Sequence, residues 1–158
     1  MNPLAASFAA RIRAEYEVFQ EFHRTLQLEQ DALLKGETEI LLELAPRKTQ
    51  LIEKLSALSV ERQRGLAAAG HENNQAGMAA WLDAMGADAP TRKLWQELLD
   101  LAREAERANR SNGILIDTHL RHNEQALAVL KAAANPGGLY DPKGHISGTP
   151  GGRSRDKA

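Results

Sequence analysis

The chain has 158 residues with a formal net charge of −1, and 42% of its residues are hydrophobic, which suits one soluble domain with one core. It contains no cysteine, which excludes disulfide bonds and thiolate metal sites, and it lacks the basic surplus typical of a nucleic-acid-binding protein. No apolar run approaches the ~20 residues that span a bilayer, and the first residues lack the pattern of a signal peptide, so we expect a cytoplasmic protein.

The first two predicted helices cover about residues 4–35 and 37–66. In both spans apolar residues recur at spacings of three, four or seven, which is the periodicity of an amphipathic helix. Gly36 separates the spans, at the position where a left-handed glycine commonly ends a helix. Pro46 lies inside the second span. Because proline lacks a backbone donor and clashes with the preceding turn, we expect a kink or a short break at Ala45.

Charged residues within the two apolar stripes predict how these helices pair. The first stripe contains Glu15 and Glu29, and the second contains Lys48 and Arg62. In an antiparallel hairpin the numbers of facing residues add up to a constant, and both Glu29–Lys48 and Glu15–Arg62 give 77, which places the turn beside Gly36. We therefore predict two ion pairs at the seam, where they set the register more than they add stability. The alternative is that these long side chains extend out of the seam and do not meet.

The remaining helical pattern predicts a short helix over 78–85 and a long helix over 89–134, with Asp88 as the N-cap of the long one. A segment rich in Gly, Pro and Ser follows from 135 to 158, which is typical of a flexible tail. The predicted fold class is all-α, with an antiparallel helical hairpin and a third long helix. We expect a coiled-coil-like bundle of three to four helices over 1–134, followed by the tail.

The second half of the long helix is apolar on a wider arc than one hairpin can cover. The arc contains Ile114, Leu115, Ile116, Leu120, Leu127, Val129 and Leu130. Two interpretations stay open from the pattern alone. Residues of the connector fold back over the arc, namely Met78, Trp81, Leu82 and Met85, or a helix from a partner protein covers it.

No pattern of catalytic residues occurs in the sequence, so we do not expect an enzyme or a cofactor. There is no Gly-x-Ser-x-Gly motif, no cysteine nucleophile and no phosphate-binding loop. His119 and His122 are one helical turn apart, but a structural zinc site usually needs four ligands, and no matching pair occurs on another helix. We therefore expect no metal site.

Three stretches of the chain form an ordered set of motifs. They are Phe22-x3-Leu26-x2-Glu29-x2-Ala32-Leu33-x2-Gly36, then Lys48-x2-Leu51-x3-Leu55-x2-Leu58-x3-Arg62, and finally Asn109-x2-Asn112-Gly113-x-Leu115 followed by Leu139-Tyr140-Asp141-x2-Gly144. In this order they resemble the FlgN family of flagellar export chaperones. Each stretch alone is weakly specific, because leucines at heptad spacing are common. The ordered set covers nearly the whole chain.

The resemblance implies a cytoplasmic chaperone of hook–filament junction proteins of the FlgK and FlgL type. Such a chaperone binds the C-terminal helical segment of its client, prevents premature assembly and delivers the client to the flagellar type III export gate. By this resemblance the client-binding residues are Ile114, Leu115, Ile116, Leu120, Leu127 and Leu130, and Tyr140 contacts the export gate. A homo-oligomer is also possible. The alternative function is a structural coiled-coil adaptor without a client cycle.

Overall fold

The computed structural model describes residues 3–134, and these residues form four α-helices without any strand. The helices are α1 (Pro3–Lys35), α2 (Thr38–Ala68), α3 (Gln75–Ala84) and α4 (Ala89–Ala134). The prediction of an all-α fold is confirmed. None of the helices in this part of the chain is both long and apolar enough to cross a membrane.

Contacts between residues divide the chain into two compact units, Met1–Asn112 and Gly113–Ala158. The first unit holds α1, α2, α3 and the first part of α4. The described part of the second unit is the rest of α4, residues 113–134. The predicted tail over 135–158 lies outside the described residues, and the predicted domain boundary at residue 134 stays a prediction.

The hairpin of α1 and α2 is antiparallel, because Glu15 meets Arg62 while Glu29 meets Lys48. The turn between the helices forms at Gly36, whose φ of 70° lies in the left-handed region that favours glycine. The backbone N–H of Glu37 donates to the carbonyl of Ala32 at 2.9 Å and so satisfies one of the last carbonyls of α1. The turn therefore lies at the position that the sequence predicts.

Pro46 does not break α2, which runs as one helix from Thr38 to Ala68. The predicted break at Ala45 is therefore wrong, while the alternative of a kink stays a prediction. Pro46 and Leu42 are both exposed. The Leu42 carbonyl, which would accept from the missing N–H, can be hydrated at such a site, and this lowers the cost of proline within the helix.

The core of the first unit is built around α3, which closes one end of the helix bundle. Met78, Trp81 and Leu82 of α3 are buried with residues of the three long helices, namely Ala5, Phe8, Ile12, Leu66, Leu94, Trp95 and Leu98. Gly65 lets α2 and α3 approach closely, since a Cβ at this position would lie 2.9 Å from the Cη2 atom of Trp81. A second core cluster lies further along the hairpin and consists of Phe22, Leu26, Leu51 and Ala105.

Side chains cap the N-termini of α3 and α4. Asn74 accepts from the backbone N–H of Gly77 at 2.7 Å, so α3 begins at Gln75, three residues before the predicted start. Asp88 accepts from both the backbone N–H and the hydroxyl of Thr91, as expected for an N-cap of α4. These hydrogen bonds, the hydroxyl first, lower the pKa of Asp88 below its ordinary value.

Candidate functional site

The second unit carries an exposed apolar face on α4. Between Gly113 and Ala134 no described residue is buried. The four aliphatic residues Ile116, Leu120, Leu127 and Leu130 are 36%, 53%, 53% and 65% exposed, respectively. At 3.6 residues per turn they lie along one side of the helix, and we call these four residues the apolar face. A helix with such a side and no buried residue lacks the packing that normally stabilises it.

The other two residues of the predicted client-binding set lie away from this face. Ile114 is 67% exposed and lies roughly 150° around the helix from the centre of the face, at 3.6 residues per turn. Leu115 is half-buried and lies roughly 100° from that centre by the same geometry. The residues predicted to form one apolar arc therefore lie on two different sides of the helix. The apolar face is the side on which aliphatic side chains form a continuous line.

The apolar residues of the connector belong to the core of the first unit. Met78, Trp81, Leu82 and Met85 are all buried, and they pack within the core cluster of the first unit. These four large side chains are therefore part of the core of the first unit, and both interpretations of the apolar arc stay open.

The first predicted ion pair joins three helices. The guanidinium of Arg62 binds the Glu15 carboxylate through two hydrogen bonds, from Nε to Oε2 at 3.1 Å and from Nη2 to Oε1 at 3.2 Å. The same guanidinium lies 4.9 Å from the centre of the Trp95 ring, at cation–π distance. Only 4% of the Glu15 side chain is exposed, so α1 buries a carboxylate that depends on this partner.

The second predicted ion pair also reaches α4, through a residue that the sequence analysis did not assign. Lys48 Nζ lies 3.1 Å from Glu29 Oε1, and Asn112 Nδ2 donates to that same oxygen at 2.9 Å. Asn112 Nδ2 also donates to the carbonyl of Leu26 at 2.9 Å, and the residue is only 1% exposed. The structure thus forms both predicted pairs and links the Glu29–Lys48 pair to α4 through Asn112.

The position of Asn112 was a signal for this role, because it continues the apolar stripe of α4 that contains Leu94, Leu98, Leu101, Ala105 and Ala108. A polar amide at a core position of a helical bundle costs free energy unless it is hydrogen-bonded, and it then commonly fixes register. Asn112 is also the last buried residue of α4 within the described part of the chain. The network of Glu29, Lys48 and Asn112 therefore marks the end of the buried part of this helix.

Metal-binding chemistry finds no support in the described residues. His119 and His122 are both exposed. Within residues 3–134, no group of three or more His, Asp or Glu side chains is placed to hold a metal ion. Tyr140, the predicted contact to the export gate, lies outside the part of the chain that the structure describes.

Comparisons with known proteins agree on one family. A family model described as FlgN protein matches residues 1–148. Two curated relatives, both called flagella synthesis protein FlgN, come from Yersinia enterocolitica and from its serotype O:8 / biotype 1B. Each is 44% identical over 54 residues, which cover 34% of this chain and 36% of the relative. The match thus spans about a third of the length of these relatives, and no solved structure matches the chain significantly. Because the family model covers nearly the whole sequence, the chain belongs to the FlgN family.

Proposed function

We propose that this chain is a cytoplasmic flagellar type III export chaperone. In this proposal it binds the C-terminal helical segment of hook–filament junction proteins of the FlgK and FlgL type, prevents their premature assembly and delivers them to the export gate. Membership of the FlgN family supports a chaperone role in flagellum assembly. The relatives' name, flagella synthesis protein, supports the same process.

The observation that carries the proposal is the apolar face of Ile116, Leu120, Leu127 and Leu130. Aliphatic side chains exposed in a line on one side of a helix match the apolar stripe of an amphipathic client helix. Fully burying four of them gains roughly 6–12 kcal/mol before costs. Association costs of roughly 4–15 kcal/mol offset much of this gain. The net gain is therefore at most about 8 kcal/mol, which corresponds to micromolar affinity or weaker and suits a carrier that must later release its client.

The proposal also assigns a role to the length of α4 beyond Asn112. None of the residues 113–134 is buried, so they can pack against a client without opening the core of the first unit. Gly113, directly after Asn112, is the weakest helix former in this part of α4. Binding and release thus involve the less stable part of the molecule, as is usual for elements that change partners.

The double variant Leu120→Glu with Leu127→Glu tests the apolar face. Two carboxylates placed on the face must be desolvated when a client helix packs there, so we expect binding to weaken at least a hundredfold. The measurement is isothermal titration calorimetry with the C-terminal helical segment of a junction protein. Circular dichroism checks that helix content is unchanged, as expected for exposed positions.

A matched control is available on the opposite side of the same helix. Thr118 and Gln125 are both exposed and have the same seven-residue spacing, so Thr118→Glu with Gln125→Glu adds the same charge away from the face. We expect this control to bind the client within threefold of the wild type. Equal loss of binding in both double variants, or full binding by the first, would contradict the assignment of the apolar face.

Tyr140 is proposed as a contact to the export gate, on the basis of its place in the family motif. We expect Tyr140→Ala to retain client binding and to lower secretion of junction proteins in a complemented strain. Undiminished secretion by this variant would remove the assignment and leave the client-binding proposal intact.

The alternative is a structural adaptor without a client cycle, and it differs in how α4 is used. An adaptor keeps the apolar face buried in a permanent oligomer, whereas a chaperone exchanges partners there. Sedimentation of the full chain with and without the client segment separates the two, because only a chaperone forms a new complex when the segment is added.

A further inference from the structure

A second exposed stripe runs along α2 and is separate from the seam of the hairpin. It consists of Leu42, Ala45, Thr49, Ile52, Ser56 and Val60, and we call it the α2 stripe. Leu42 and Val60 are 18 residues apart, which is five helical turns, so the stripe follows one side of the helix for about 27 Å. All six residues are exposed, with Leu42 at 70%, Ile52 at 45% and Val60 at 40%.

The α2 stripe has the composition of a helix–helix contact. Its residues recur at spacings of three and four, and none of them is charged. The small residues Ala45, Thr49 and Ser56 separate the larger aliphatic ones. A second helix can therefore approach closely and still bury Leu42, Ile52 and Val60. The charged residues Lys48 and Arg62 of the same helix belong to the seam and already have partners on α1.

We propose that the α2 stripe binds a second copy of this chain in an antiparallel helix pair. When two copies of the stripe run in opposite directions, each residue of one copy has a suitable partner on the other. Pairing Leu42 with Val60 of the second copy also places Ala45 opposite Ser56 and Thr49 opposite Ile52, since the residue numbers of each pair add up to 101 or 102. Every aliphatic residue of the stripe then faces an uncharged residue.

Two charges beside the stripe favour the same arrangement, whereas Glu53 on the same flank faces the uncharged Gln50 of the second copy. Glu39 and Arg64 lie on one flank of the α2 stripe, 25 residues or about seven turns apart. Neither is in an ion pair among the described residues. In an antiparallel pair, equivalent flanks face each other, and the numbers 39 and 64 add up to 103, close to the register of the stripe. Glu39 of each copy therefore faces Arg64 of the other, twice in the dimer.

This self-association does not rest on the proposed function. It uses the outward side of α2 within the first unit, whereas the client-binding proposal uses residues of the second unit. A contact of six mostly small side chains per copy buries less than about 1,200 Å² in total, the range of weak and transient interfaces. The dimer is therefore reversible and depends on protein concentration.

Analytical ultracentrifugation of the full chain over a range of micromolar concentrations tests the dimer. We expect the average mass to rise from 17.3 kDa towards twice that value. Ile52→Glu places a carboxylate at the centre of the contact and should keep the chain at 17.3 kDa throughout. Gln50→Glu adds the same charge at an exposed site that lies roughly 120° around α2 from the centre of the stripe. This variant should associate nearly like the wild type. A wild type that stays monomeric, or an Ile52→Glu variant that still associates, overturns the proposal.

Charge reversal and cross-linking test the antiparallel register. Glu39→Arg should weaken association at least threefold, and adding Arg64→Glu should restore it. Because the chain has no cysteine, an Ala45→Cys variant can be mixed with a Ser56→Cys variant under oxidising conditions. The antiparallel pair gives mainly the mixed disulfide between the two variants, since Ala45 faces Ser56. Disulfides formed mainly within each single variant, or no rescue by the second charge reversal, overturn the arrangement.

Discussion

At the residue scale, Asn112 ties α4 to the Glu29–Lys48 pair of the hairpin and to the backbone of α1. The constant sum of residue numbers relates two antiparallel helices, so it brought together Glu15 with Arg62 and Glu29 with Lys48. A third helix has its own register, which no pairwise rule within the hairpin supplies. The bond from Asn112 Nδ2 to Glu29 Oε1 therefore needed the folded chain, although the asparagine in the stripe of α4 pointed to a polar contact.

Replacement of Asn112 tests whether this contact contributes to stability. In Asn112→Ala, the Glu29 carboxylate loses one of its donors and the buried site loses its amide, so we expect the free energy of unfolding to fall by about 1–3 kcal/mol. Urea unfolding followed by circular dichroism measures the change. Asn123→Ala, at an exposed position of the same helix, should change it by less than about 0.5 kcal/mol. Equal effects of the two substitutions would show that the network with Glu29 adds nothing.

At the element scale, the elements with long, regular apolar spacing were the predictable ones. α1 ends, and α2 and α4 begin, within a few residues of the positions that Gly36 and Asp88 indicated. The break that was one alternative at Ala45 does not occur, because the cost of Pro46 depends on whether the freed carbonyl is hydrated, and exposure is a property of the fold. The packing partners of Met78, Trp81, Leu82 and Met85 were likewise ambiguous from the sequence. Spacing identifies a residue as apolar but does not say which surface buries it.

The pairing of α1 with α2 leads to a prediction about Glu15 and Arg62. Glu15→Leu leaves Arg62 without its carboxylate, and we expect a loss of roughly 3 kcal/mol, the lower end for buried pairs, because 16% of the Arg62 side chain is exposed. The double variant Glu15→Leu with Arg62→Leu removes both charges and should recover most of the loss. A double-mutant cycle from chemical unfolding provides the coupling energy. Additive losses would mean that the pair is not coupled.

At the scale of the whole molecule, the division into two units assigns different tasks to different parts of α4. Up to Asn112 the helix supplies Leu94, Trp95, Leu98 and Ala105 to the core of the first unit. From Gly113 it presents Ile116, Leu120, Leu127 and Leu130 as exposed side chains. The sequence indicated an excess of apolar surface here without naming what covers it. The proposed function gives this surface a use that periodicity alone could not name.

Amide hydrogen exchange tests the central claim, that residues 113–134 form a helix face kept available for a client. In the free chain we expect amides of this segment to exchange much faster than those of α1 and α2, because none of its residues is buried. Addition of the C-terminal helical segment of a junction protein should slow exchange around Leu120 and Leu127. Protection equal to that of the hairpin in the free chain, with no change on adding the client segment, would contradict the account.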